Sequence, residues 1–248
     1  MELHYESYGS GPALICLHGL FGSAENARTL NKHVFAKHFS VYAPDQRNHG
    51  HSPHSDAFSV EVMTQDLIQF LDDHDLNQVF LMGHSMGGKV ALYAALTHPE
   101  RIHRLIVVDI APRPYSPHLQ LIFDALRAID LAKTKSRKDL DQALADHIPQ
   151  KLIRQFLLKN VKRCDDKSFR WRINLEAITT NYETATEAEL GERTFGKPTL
   201  FIRGGRSSYV TDEDKPLINK HFPQAEIVTI EEAGHWVHYE APQAFAQE

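Results

Sequence analysis

Short apolar runs alternate with helix-period segments along most of this chain. Ala13 to Leu17, Val41 to Ala43, Val79 to Met82, Leu105 to Asp109, Thr199 to Ile202 and Glu226 to Ile230 have the length and the apolar, β-branched character of strands, and Leu3 to Tyr8 reads as an edge strand ahead of them. Between them the spacing predicts helices from Ser23 or Ala24 to Phe39, Ser59 to His74, Met86 to His98 and Thr211 to Phe222, with Ser59 and Thr211 as N-caps before acidic first turns. Near-continuous apolar strands need cover on both faces. The order therefore predicts an α/β fold with a mostly parallel, doubly wound central sheet flanked by helices.

One interval breaks the alternation. From Pro112 to about Gly191 no strand pattern stands out, while Leu119, Ile122, Phe123 and Leu126 share one helical face and a second stripe of Ile153, Phe156 and Leu157 follows Pro149. Trp171-Arg172-Ile173 then returns the chain toward the core. The expected organisation is a core formed by residues 1–111 and 192–248, with residues 112–191 inserted as a helical lid. Most of the lid's apolar positions must dock it on the sheet, leaving a minority to line a pocket. A Pro242-led helix begins shortly before Glu248, which predicts that a few further residues follow.

The apolar run Val79 to Met82 leads into Gly83-His84-Ser85-Met86-Gly87 and then into a helical pattern. A serine on such a tight strand-to-helix bend has its hydroxyl lifted clear of the sheet, and small residues at positions 83 and 87 keep the bend from colliding with its neighbours. A hydroxyl is a weak nucleophile at neutral pH and needs a base. His235, in Gly234-His235-Trp236 after the last predicted strand, is placed to reach back over the sheet edge. His84 is adjacent in sequence, but the bend points it elsewhere. For the acid that orients the imidazole, two carboxylates compete. The loop Gly204 to Val210 carries Ser207 where an aspartate would be expected, and its nearest carboxylate, Asp212, suits the first turn of the next helix. Asp109, at the end of a strand closer to the nucleophile, is preferred.

Attack on a carbonyl develops an oxyanion that two backbone N–H groups usually meet. Met86 supplies one, and Leu20, in His18-Gly19-Leu20-Phe21-Gly22, is placed for the other. His18 is expected to brace that loop. Phe21 and Trp236 are expected to shape the acyl pocket, and Trp236 serves equally well as a ring capping the core. Asp45 to Ser52 forms another polar loop on the same rim, read as structural, with Arg47 pairing to neighbouring loops.

Five motifs in order, His18 to Ser23, Asp45 to Pro53, Gly83 to Lys89, Asp109 to Pro112 and Gly234 to His238, resemble the α/β-hydrolase superfamily and, within it, the YbfF-type bacterial esterases. The resemblance implies a serine hydrolase of short acyl esters, with a small helical lid and the acid after the strand that the superfamily counts sixth, which agrees with Asp109. It also admits acyl-CoA thioesters, for which Lys89, Arg113 or Arg206 would meet coenzyme A phosphates. A hydrolase-fold binding protein is the contrasting reading, and the presence of nucleophile, base and oxyanion loop together argues against it. Ser85 excludes haloalkane dehalogenase and epoxide hydrolase chemistry, which uses aspartate at that position.

Composition narrows the setting. With 248 residues, 42% hydrophobic content and a net charge of −5 without a basic stripe, the chain is expected to act on a small-molecule acyl ester or thioester, with neither nucleic acid nor membrane as partner. Met1 to Glu6 contains no basic leader, and no window is long enough to span a bilayer. Cys16 and Cys164 do not suggest a disulfide framework, so a cytoplasmic location is expected. The 16 histidines raise the question of a metal, but His49 and His51 flank Gly50 without a Cys or carboxylate set at zinc spacing. No metal and no cofactor are expected.

Overall fold

The computed structural model describes residues 1–115, 119–186 and 190–248. In chain order the strands are β1 (Tyr5–Tyr8), β2 (Ala13–Leu17), β3 (Ser40–Pro44), β4 (Val79–His84), β5 (Ile102–Val108), β6 (Val161–Arg163), β7 (Phe169–Trp171), β8 (Thr199–Gly204) and β9 (Ala225–Ile230). Seven of them form one sheet in the order β1-β3-β2-β4-β5-β8-β9. β1 pairs antiparallel with β3, and every other neighbour in this sheet is parallel.

The connection from β2 leads to one side, to β3, and the next leads back across to β4. At this reversal the loops leaving β2 and β4 diverge and open a crevice at the carboxyl end of the strands, where α/β sheets bind ligands.

The helices are α1 (Arg28–His33), α2 (Val60–Asp73), α3 (Met86–Thr97), α4 (Gln120–Ala128), α5 (Arg137–Ala145), α6 (Lys151–Leu158), α7 (Leu175–Thr180), α8 (Tyr182–Thr186), α9 (Lys215–His221), α10 (Val237–Glu240) and α11 (Pro242–Phe245). α2 starts where Ser59 Oγ accepts the Val62 N–H at 3.3 Å, a side-chain cap on an otherwise orphan donor. It buries Met63, Leu67, Phe70 and Leu71 against the sheet. Nearly all of α3 is buried, as suits a helix on the central strands. On the other face Leu30 of α1 and Phe245 of α11 share a cluster with Val108, Ile202 and Ile230. Among the described residues, no helix is long and apolar enough to cross a membrane.

Three elements differ from the sequence reading. The single helix expected over 24–39 is instead a 3-10 turn (Ala24–Ala27), α1 and a second 3-10 turn (Phe35–Lys37). The Asn26 side chain takes the Ser23 N–H at 2.6 Å and the Asp45 carboxylate takes that of Ala24 at 2.7 Å, so the first turn is pinned to the loop after β3. The helix expected from Thr211 likewise opens as a 3-10 turn (Asp212–Asp214) before α9, with Thr211 and Asp214 forming a capping box.

The segment between β5 and β8, expected to lack strands, contains the antiparallel pair β6–β7 as well as α4 to α8. Its strands close over a turn with Lys167 at φ 67°. Beyond β7, the Arg172 N–H returns to the Asn160 carbonyl at 2.7 Å and that of Asn174 to the Asn48 carbonyl at 3.0 Å, docking the segment on the rim loop.

Candidate active site

Ser85 separates β4 from α3 with φ 52° and ψ −117°, a backbone conformation costly for a residue with a Cβ. Its neighbours make the bend possible. A Cβ on Gly83 would sit 2.2 Å from the Gly87 carbonyl oxygen, and one on Gly87 would sit 2.6 Å from that of Leu17. Only hydrogen fits in either place. The Ser85 N–H donates to the Val108 carbonyl at 3.0 Å, tying the bend to the end of β5.

The structure brings Ser85, His235 and Asp109 into one chain of contacts. His235 Nε2 lies 3.0 Å from Ser85 Oγ, and His235 Nδ1 lies 2.8 Å from Asp109 Oδ2. With Nδ1–H donating to the carboxylate, the Nε2 lone pair faces the hydroxyl. Asp109 is fully buried, and its carboxylate also accepts the Gly204 N–H at 3.0 Å and the Ser207 hydroxyl. Asp212 is elsewhere: it is exposed and bonded to Lys215 and Arg203, which hold its carboxyl below the usual range.

Four further residues, none assigned from sequence, hold His235 in place. Ser207, standing where an aspartate was expected, instead bonds to Asp109. The Tyr209 ring stacks on His235 with centroids 3.8 Å apart and planes 16° from parallel. Glu240 accepts the N–H groups on either side of His235, from Gly234 at 2.9 Å and Trp236 at 3.2 Å. Between them, the His235 carbonyl oxygen lies 2.8 Å from His84 Nε2. Burial, with His238 and His235 nearby, pushes the His84 pKa well down, so the ring is neutral and its Nε2–H donates. His84 is thus not aimed at Ser85 but clamps the main chain of His235. Glu240 and His84 had no sequence signal, because each acts on main-chain atoms, Glu240 across the turn that contains His235 and His84 from a remote strand end.

Met86 is the first residue of α3, so its N–H has no intrahelical acceptor. Leu20 lies in the loop after β2, and this loop presses on Ser85: a Cβ on Gly19 would come within 3.3 Å of Ser85 Cβ. The loop is braced from three sides. His18 Nδ1–H donates to the Gly19 carbonyl at 2.8 Å while its Nε2 accepts the Gln46 N–H at 2.9 Å. Phe21, at φ 60°, donates its N–H to His49 Nε2 at 3.2 Å, and its carbonyl accepts from Asn160 Nδ2 at 2.8 Å. Burial and the neighbouring His18 push the His49 pKa down to about 3, which keeps Nε2 an acceptor. Arg47 serves this rim structurally, bonded twice to Asp66 of α2 at 2.5 and 2.8 Å.

Above Ser85 and His235 lies a cavity of about 300 Å³. Phe21, Met86 and Trp236 from the core line it together with Ile122, Ile153 and Phe156 from the inserted segment. The Phe156 and Trp236 rings meet at 5.7 Å across it. Of the cations considered for coenzyme A, Lys89 is buried at the cavity wall, donating to the Arg113 carbonyl and lying over Tyr115. Arg113 is bonded to Asp214 at 2.6 Å and stacked on the same ring. Arg206 is exposed.

Comparison with known proteins agrees with this architecture. The pattern of the α/β hydrolase fold family matches residues 12–242. The sn-1-specific diacylglycerol lipase ABHD11 of Mus musculus is 39% identical over 241 residues, 94% of this chain and 78% of its own length. Esterase YbfF of Escherichia coli (strain K12) is 33% identical over 234 residues, 93% of this chain and 89% of its own. The solved structure of a marine microorganism esterase superposes with a TM-score of 0.94 at 42% identity, covering 99% of this chain and 97% of that one. With the family pattern spanning nearly its whole length, this chain belongs to the α/β hydrolase fold family.

Proposed function

We propose that this protein is a serine esterase that hydrolyses small acyl esters through an acyl-enzyme intermediate. Ser85 is the nucleophile, His235 the general base and then acid, and Asp109 the group that holds His235 in one tautomer and stabilises its protonated form. The reading rests above all on the 3.0 and 2.8 Å contacts that link the three side chains beneath an apolar cavity. As Ser85 Oγ attacks the carbonyl carbon, its proton passes to His235 Nε2. The oxyanion is met by the N–H groups of Leu20 and Met86, each contributing roughly 2.7 to 4 kcal/mol on the usual scale for such donors. His235 then protonates the leaving alkoxide. Water, deprotonated by the same nitrogen, attacks the acyl-enzyme and releases the acid.

The cavity of about 300 Å³ lies at the small end of the range for ligand sites, which favours a short acyl chain packed against Phe21, Trp236 and the walls given by residues 112–191 acting as a lid. Of the three cations considered for coenzyme A phosphates, Lys89 and Arg113 are engaged within the protein and only the exposed Arg206 is left to meet them, so the ester reading is preferred. The direct test is hydrolysis of p-nitrophenyl butyrate by Ser85→Ala: loss of turnover and of fluorophosphonate labelling is expected, and undiminished turnover rejects the mechanism.

A further inference from the structure

At the outer edge of the sheet, antiparallel pairing sets Tyr5 of β1 opposite Pro44 of β3. The residues flanking that pair, His4 and Asp45, thereby come together with the loop that contains His51. One donor atom from each of the three lies within 4.8 Å of the other two. His4 Nδ1 is 3.0 Å and His51 Nδ1 3.6 Å from Asp45 Oδ2. A tetrahedral zinc ion with bonds of about 2.0–2.1 Å holds its ligand atoms about 3.3 Å apart, and the two measured separations bracket that value. The wider span is closed by turning two rings whose side chains are 42% and 48% exposed.

The backbone is already set for this arrangement. The Asp45 N–H donates to the His4 carbonyl at 2.8 Å, the His4 N–H to Ser52 Oγ at 2.9 Å and the His51 N–H to Asp45 Oδ2 at 2.8 Å. Asp45 Oδ1 is held separately by the Ala24 N–H, which leaves Oδ2 directed at the two histidines. His49, on the same loop, points inward to Phe21 and is not part of the set. The sequence reading found no such set because His4 meets Asp45 and His51 only through the pairing of β1 with β3.

We propose that His4, Asp45 and His51 form a surface site for a divalent transition-metal ion of the zinc, nickel or copper type, with solvent completing the coordination. Two imidazoles and one carboxylate select this class over magnesium or calcium, which prefer all-oxygen sets. On binding, the His4 ring takes its Nε2–H tautomer, and the Nδ1 lone pair replaces the N–H now directed at Asp45. The ion ties the segment before β1 to the loop after β3 and stabilises the edge of the sheet by linkage. This site is independent of the esterase reading.

Titration calorimetry with Zn²⁺ on untagged, chelator-treated protein tests the proposal. One saturable equivalent is expected for the wild type, with affinity at least about tenfold weaker in both His4→Ala and His51→Ala, since even outer partners of metal ligands carry losses of that size. His33→Ala, which removes an exposed histidine elsewhere, binds as the wild type. The thermal midpoint should rise with Zn²⁺ in the wild type and His33→Ala but not in the two site variants. Unchanged metal-free turnover of His4→Ala shows that its fold is intact. Absence of saturable wild-type binding, or binding that survives both site substitutions, overturns the proposal.

Discussion

Asp109→Asn separates the two acids that the sequence left in competition. In the wild type one carboxylate oxygen accepts the Gly204 N–H at 3.0 Å, and the other receives His235 Nδ1–H at 2.8 Å together with the Ser207 hydroxyl. An asparagine offers one acceptor oxygen where the carboxylate offered two. The Gly204 amide belongs to the end of β8, an interior strand, and cannot turn away, so the oxygen stays there and the new NH₂ faces His235. A donor then meets a donor. The imidazole resolves the clash by moving its proton to Nε2, which places that proton against Ser85 and removes the base. A loss of about 10⁴ in kcat follows, or about 5.4 kcal/mol at 1.36 kcal/mol per factor of ten, with KM little changed. Asp212→Asn breaks only exposed pairs with Lys215 and Arg203 and should leave kcat within about twofold. The assay is kcat and KM on p-nitrophenyl butyrate, with the thermal midpoint recorded to show that each variant is folded. A folded Asp109→Asn within tenfold of wild type, or an equal loss in Asp212→Asn, refutes the assignment.

His84→Leu leaves the His235 carbonyl without its donor and lets the base drift, at a cost of roughly 1–3 kcal/mol; kcat should fall about 10- to 100-fold with KM nearly constant, while His84→Gln, which can still donate, recovers most of it. Equal losses in the two variants contradict a clamping role. His49 predicts the acid side of stability: its folded pKa of about 3 lies below an unfolded value of about 6.5, so in that window the unfolded chain binds the proton and the native state does not. The His49 contribution is complete above pH 6.5 and is lost at about 1.4 kcal/mol per pH unit below it, a slope that urea denaturation at pH 7, 6 and 5 should find shallower in His49→Gln; identical slopes would exclude it. Ile153→Trp fills the cavity from the inserted segment and should lower kcat/KM for butyrate and longer esters more than for acetate. A uniform change across chain lengths would show that the acyl group binds elsewhere.

The parts of this site that the sequence made legible are those written in a few adjacent residues. Strand, Gly-x-Ser-x-Gly and helix are contiguous, so Ser85 could be read as a displayed hydroxyl, and Gly234-His235 follows the last strand in the same local way. The acid was legible only as a choice. What separates Asp109 from Asp212 is the order β4-β5-β8-β9, which sets the end of β5 beside Ser85 and beneath His235, and strand order is a long-range property. Ser207, Tyr209 and His84 were hidden for the same reason, and Glu240, though only a few residues from His235, bonds to main-chain atoms that carry no sequence signature. The β6–β7 pair escaped because strands of three residues are too short for a period of two to show. The continuous helix read over 24–39 ignored the Asp45 carboxylate, which captures the N–H of its first residue from outside the segment.

Backbone strain gives this partition an energetic reason. Phe21, Ser85 and Asp109 all adopt positive φ, at 60°, 52° and 49°, and all three lie at the same rim of the sheet. Such conformations cost about 1–3 kcal/mol each for residues with a Cβ and persist only where the surroundings impose them. Here each strained residue has its own N–H fixed by a separate element: Phe21 by His49, Ser85 by the end of β5 and Asp109 by the Ile202 carbonyl of β8 at 2.8 Å. Local propensity opposes all three bends, and the sheet overrides it. A glycine at 85 would relax the elbow but delete the hydroxyl, and one at 109 would relax the rim but delete the carboxylate. The side chains that carry the proposed chemistry therefore occupy the positions where the backbone is least content, held there by the same parallel strands that make the rest of the core stable.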